Sequence, residues 1–204
     1  MPSRNVVKKP APNSYYHVYA RGNNKQKIFN SVADYKYFIS LIERYLSQSQ
    51  IMSEEKHIYP NYFKQVEILT YCLKPNHFHF LVYQKNSIDL EHFMRSLMTS
   101  YSMYFNLKYV RTGPVFDSRY KSSKIDNNDY LQHVSRYIHL NPRRWENYGY
   151  SSLKYYRFGD EPIWLNTEKI LEQFASRESY IDFVSENEEM HNQLNILKHQ
   201  LADK

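Results

Sequence analysis

Between Asn13 and Arg21 the chain reads NSYYHVYAR, an alternating segment that ends at the turn-forming Gly22-Asn23-Asn24 and predicts a first strand. From the capping candidate Ser31, apolar side chains recur at Val32, Tyr35, Phe38, Ile39, Ile42 and Leu46, the spacing of one face of a helix. Residues 48–63 are polar and without a period. A second strand is expected over Gln65 to Leu73, rich in Val, Ile, Tyr and Thr. Lys74-Pro75-Asn76 interrupts the run and Phe78 to Tyr83 resumes it, as in a hairpin. A second long helix starts at Asp89, with Leu90, Phe93, Leu97, Met98, Tyr101, Tyr104 and Phe105 at helical spacing. Arg111-Thr112-Gly113-Pro114 makes a turn, Val115 to Ile125 reads as a strand, and Asn127 to Asn141 as a third helix stopped by Pro142.

The order strand, helix, strand, strand, helix, strand predicts an α+β fold of the split βαβ, ferredoxin-like kind: an antiparallel sheet with two helices on one face. The third helix is an addition to that frame. Further helices are expected over Thr167–Phe174 and Glu178–Ser185, and a last one carries Met190, Leu194, Leu197 and Leu201 at apolar spacing. Self-association through that last helix is a weaker reading than packing on the tail's own core.

Charge divides the chain. Residues 1–158 carry 23 Lys and Arg against 11 acids, and residues 159–204 carry 4 against 10. This predicts a basic unit over 1–158 and an acidic helical extension over 159–204. Basic charge mixed with 21 tyrosines and 11 phenylalanines suits a surface that neutralises phosphates and stacks on unpaired bases, although core aromatics and solvated lysines give the same composition. The single cysteine, Cys72, excludes an intramolecular disulfide framework and a Cys-rich zinc site. The lone cysteine predicts a reducing, cytoplasmic location, and the lack of an apolar run of membrane-spanning length predicts no membrane partner.

His77 and His79 flank Phe78 in a strand, so both imidazoles point one way and Phe78 the other. Two nitrogens on one face can share a metal, but surface or core histidines show the same pattern. In the third helix, Tyr137 and Asn141 stand four residues apart on one face, which Tyr130 and His133 continue, while Leu131, Val134 and Ile138 form the apolar stripe that would leave Tyr137 and Asn141 presented together. A packed tyrosine and a helix-ending asparagine are the plain alternative. His139 lies about 200° around the helix from Tyr137 and should face away. His17, His57, His92, His191 and His199 have no partner at metal spacing and read as structural or surface residues.

YHVYARGNNKQKIF, YCLKPNHFHFLV, RTGPVFDSRYKSS and DYLQHVSRYIHLNP, in this order, together with the later WLNTEKILEQF and YIDFV, resemble the REP-associated tyrosine transposases and, more widely, the single-tyrosine HUH transposases of bacterial insertion sequences. The resemblance covers nearly all of residues 14–185. It implies a transposase and single-strand endonuclease in which Tyr137 is the nucleophile and His77, His79 and Asn141 hold a divalent metal, Mg²⁺ or Mn²⁺. It further implies a 5′-phosphotyrosine intermediate, single-stranded DNA with hairpins as partner, and action as a monomer or homodimer. Arg21, Arg119, Lys121, Lys124, Arg143 and Arg144 are then candidate DNA contacts. The chain departs from the family at Pro114-Val115-Phe116-Asp117, a stretch often bulkier and more aromatic, and in having Asn-Pro-Arg where Asn-Pro-Val is usual. The competing readings are a domesticated hairpin-binding protein without turnover, a metal-dependent nuclease that activates water, and an RNA-binding split βαβ module.

Overall fold

The structure, a computed structural model, describes residues 10–52, 54–56 and 58–186. Four strands, β1 (Ser14–Arg21), β2 (Val66–Lys74), β3 (His77–Gln84) and β4 (Lys121–Ile125), form one antiparallel sheet in the order β2-β3-β1-β4. Helices α1 (Val32–Leu46) and α2 (Asp89–Lys108) cover one face, giving the expected split βαβ frame. The other face is covered too. There α3 (Asn128–Leu140) packs on Leu69, Cys72, Leu81 and Ile125, joined by α4 (Leu153–Phe158), α5 (Glu168–Leu171) and α6 (Arg177–Ser185). Burial of both faces explains why β2 and β3 read as nearly continuous apolar runs.

In the first layer, α1 starts where Asp34 accepts hydrogen bonds from the backbone N–H groups of Asn30 and Ser31 (2.8 and 2.9 Å). Its buried arc differs from the expected one. Val32 is 59% exposed, while Leu41 and Tyr45 are buried, because α2 lies alongside and covers that flank, with Tyr45 Oη bonded to Ser100 Oγ at 2.6 Å. The strand expected over Val115–Ile125 is shorter as well. Only Lys121–Ile125 joins the sheet, whereas Val115, Phe116 and Tyr120 plug the first core as irregular chain. The β1/β4 register would set Gly22 opposite Ser118, but Gly22 bridges to Phe116, so two extra residues are looped out and Ser118 and Arg119 are thrown outward. Gly22 is needed here for space: a Cβ would lie 2.1 Å from the Gln26 carbonyl oxygen.

A bulge between Ile68 and Thr70 resets which side chains of β2 face which layer. Ile68 and Tyr71 both enter the α1/α2 core although three apart, and Leu69 and Cys72 both face α3. The segment 150–152 then runs along the edge of β2, with Leu73 N–H donating to Tyr150 O (2.9 Å) and Ser152 N–H to Tyr71 O (3.0 Å), which covers part of an otherwise open edge.

The second layer unites α3 with the helices C-terminal to it. Ile170, Tyr180 and Val184 share a core with Leu131, Val134 and Ile138, so the described part of the acidic extension packs on the basic part. Helix α4 falls where the sequence carries no periodic signal, and of the expected 167–174 helix only Glu168–Leu171 is helical. The expected helix around Met190–Leu201, and His57, His191 and His199, lie outside the described residues. No helix among the described residues is long and apolar enough to cross a membrane. Cys72 is buried and free.

Candidate active site

β3 turns Phe78 into the α1/α2 core and His77 and His79 toward α3, as strand alternation requires. His77 Nδ1 meets Asn76 Oδ1 at 2.7 Å and its Nε2 meets Asn141 Oδ1 at 3.3 Å. Both partners are amide oxygens, which only accept, and a neutral imidazole has a single hydrogen to give, so one of the two contacts sets a ring lone pair against an amide oxygen. A cation shared at that contact would relieve the opposition.

Asn141 reaches this point from the C-terminal end of α3. That helix is started by Asn127, whose side chain accepts from Tyr130 N–H at 2.7 Å, and is held to the sheet by Leu131, Val134 and Ile138. Lys74 Nζ donates to the backbone oxygen of Asn141 (2.8 Å), fixing the helix end against β2 and adding positive charge beside it. One turn earlier, Tyr137 stands edge-on to His79 (ring centroids 5.6 Å, planes at 89°) and to His17 (5.8 Å, 89°). The tyrosine is not presented at an open face. It is 2% exposed and belongs to the second core. The helix layer closes over the face that the spacing alone left open. His133 does not extend the site: it packs against Phe183 (5.6 Å) and Arg136, on the α6 side.

His17, read as structural or surface from its spacing, lies in the site. It is fully buried, and its Nε2 is 2.9 Å from His79 Nδ1. The only signal in the sequence is an alternation shared by Tyr15, His17, Tyr19 and Arg21, which becomes meaningful once β1 is paired with β3. His79 is buried, and burial, followed by the neighbouring His17, His77, Lys74 and Arg21, pushes it well below its ordinary value, so it is a neutral imidazole with a lone pair to give. His139 faces away, as its angle requires. Burial pushes it down to about 3, and it is held between Ser152 Oγ and Tyr180 Oη, each at 2.7 Å. His92 is exposed on α2.

The basic candidates divide. Arg21, Arg119 and Lys121 line one cleft of about 220 Å³ with Tyr19, Lys25 and His77, immediately beside the histidine pair. Lys124 does not join them: its position in β4 points it to the other sheet face, where it pairs with Asp126 at 3.2 Å. Arg143 and Arg144 are exposed just beyond α3. A larger cavity of about 540 Å³ opens between α2 and residues 114–120, and of the site candidates it touches only Arg119. Among the described residues no group of three or more His, Cys, Asp or Glu is arranged to hold a metal ion, so a metal here would rely on the Asn141 amide beside the two imidazoles.

Residues 61–141, which contain His77, His79, Tyr137 and Asn141, match the family model for IS200-like transposases. The structure is similar to that of a REP-associated tyrosine transposase bound to a REP hairpin, with a TM-score of 0.54 at 14% identity, over 78% of this chain and 89% of that one. It also aligns with a transposase-like structure from Deinococcus radiodurans R1, with a TM-score of 0.39 at 12% identity over 68% of this chain and 95% of that one. No curated protein matches the sequence. The match to IS200-like transposases thus rests on residues 61–141, and the fold of the chain is that of a REP-associated tyrosine transposase.

Proposed function

We propose that this chain is a DNA transposase that cuts and rejoins a single strand flanking a hairpin, with Tyr137 as nucleophile and a divalent metal held by His77, His79 and Asn141. The observation that carries this reading is the convergence of four side chains from two elements: His77 and His79 of β3, and Tyr137 and Asn141 at the end of α3. Two imidazole nitrogens and an amide oxygen fit Mn²⁺ somewhat better than Mg²⁺. When bound, such an ion supplies Lewis acidity and orientation to a phosphate oxygen.

The chain's residues do the rest. A phenol with an ordinary pKa of about 10 must lose its proton as it attacks. The oxygen of Tyr137 bonds to phosphorus, the bond from phosphorus to the 3′ oxygen breaks, and that oxygen leaves as a free 3′-OH after taking up a proton. The 5′-phosphotyrosine conserves the bond for rejoining by a second 3′-OH. Arg21, Arg119 and Lys121 would hold the strand's phosphates along the cleft beside His77. The structural relative's REP hairpin supports a hairpin partner here, and the contact of Tyr137 with His79 of its own chain supports action as a monomer over a homodimer with shared sites.

Labelled single-stranded hairpin DNA incubated with the protein and Mn²⁺ should yield a covalent adduct on a denaturing gel, lost in Tyr137→Phe. Cleavage that survives Tyr137→Phe would sink the tyrosine mechanism in favour of activated water. The burial of Tyr137 favours one second reading, a hairpin-binding protein without turnover, since the ring must leave its slot to meet a phosphate. Hairpin binding with no adduct under Mg²⁺ or Mn²⁺ would establish it.

A further inference from the structure

We infer that His17 is a positioning residue for His79: their in-plane hydrogen bond holds His79 with its hydrogen on Nδ1 and its Nε2 lone pair turned to the site beside Tyr137. This rests on the metal-site reading above only for its consequence. The bond itself is a feature of the two strands.

The two rings lie 2° from parallel, with centroids 5.1 Å apart and nitrogens 2.9 Å apart. The centroid separation exceeds the nitrogen separation by about the two ring radii, so the imidazoles meet edge to edge in a common plane rather than face to face. A single hydrogen can occupy that line. If His17 donates it, His79 carries its own hydrogen on Nε2 and has no lone pair for a ligand. If His79 donates from Nδ1, Nε2 carries the lone pair that a ligand requires, and His17 takes the place that a carboxylate, carbonyl or water usually takes behind a ligating histidine. Both residues are buried to within 1% exposure, and burying an imidazole without purpose is costly where a leucine or phenylalanine would fill the same space.

Both rings also stand perpendicular to Tyr137, so together they form one flat wall for its ring. A neutral partner has a further consequence. A carboxylate at position 17 would place a second buried charge behind His79, whereas an imidazole orients the ring and leaves the charge of a bound ion undiluted.

Long-range proton–nitrogen spectra of the full chain, with histidine nitrogens labelled and His79 assigned by difference against His79→Gln, should show the hydrogen on Nδ1 of His79. Finding it on Nε2 would overturn the inference, and this measurement needs no variant at position 17. Mn²⁺ titration followed by electron paramagnetic resonance should show affinity about 10- to 100-fold weaker in His17→Phe, which keeps bulk and removes the acceptor. His17→Gln, whose side-chain oxygen can stand where Nε2 stood, should restore most of the loss. Wild-type affinity in a folded His17→Phe, checked by circular dichroism, would also overturn the inference. A wild type that takes up no Mn²⁺ would instead remove the metal-site reading, and the nitrogen spectrum would still decide the tautomer.

Discussion

Asn141 is the residue on which the proposed site turns, because it joins two helix-end roles that usually compete. Its backbone carbonyl closes α3 on Lys74, and its side-chain oxygen faces His77 Nε2 at 3.3 Å. Removing the amide should therefore affect metal affinity more than folding. Asn141→Ala is expected to weaken Mn²⁺ binding at least about 10-fold with little change in thermal midpoint, and Asn141→Asp to tighten it, since a carboxylate adds a full charge to the same position. Titration with Mn²⁺ checks both, and equal affinity in all three proteins would remove Asn141 from the ligand set.

At the scale of elements, stability rests on polar joints inside apolar layers. His139 ties α3 to Ser152 at the β2 edge and to Tyr180 of α6, and Arg136 adds a bond to Phe183 O (3.2 Å) while covering the Phe183 ring at 4.2 Å. His139→Ala leaves two buried hydroxyls without that partner, and a loss of about 2–4 kcal/mol is expected in chemical denaturation. A loss under about 0.5 kcal/mol would show that α6 is not held through this joint.

Asp34 is the corresponding joint of the first layer, bridging the start of α1 to Lys108 and Tyr109 at the end of α2 (2.6 and 2.8 Å). Burial alone would raise its carboxyl, but Lys108, Tyr109 and the backbone N–H groups of Asn30 and Ser31 outweigh it and hold it down to about 2. A carboxyl held below its ordinary value of about 4 contributes stability that is fully present above that pH and is lost as pH falls toward 2. Asp34→Asn should be less stable than wild type by about 2 kcal/mol at pH 5, with the gap narrowing between pH 4 and 2. Denaturation curves at pH 5, 3 and 2 test this, and a gap that stays constant would show that the carboxylate charge is not what counts.

For the whole molecule, the separation of charge between residues 1–158 and 159–204 bears, under the proposed function, on which face would meet DNA. The cleft beside His77 gathers Arg21, Arg119 and Lys121, whereas Lys124 lies on the other sheet face. Replacing Arg21 and Lys121 together by alanine should weaken hairpin binding and flatten its salt dependence, lowering the slope of log affinity against log salt by about 1.5. The same test on Lys124 should leave the slope nearly unchanged. A slope altered equally by Lys124→Ala would mean that DNA does not follow this cleft.

Local periodicity is enough to predict four strands, three long helices and their antiparallel frame, and to set His77 with His79, and Tyr137 with Asn141, on common faces. Those relations depend only on the geometry of one strand or one helix, so neighbouring residues carry them. Periodicity starts β4 too early because the two looped-out residues before Lys121 answer to the bridge at Gly22, far away in sequence. The turned face of α1, the side of Lys124, the burial of Tyr137 and the bond from His17 to His79 depend on which element packs against which, and in what register. His17 shows the difference most clearly: 62 residues separate it from His79, and no spacing within either strand could bring the two rings into one plane. That contact exists only because β1 pairs with β3 and α3 closes over the pair.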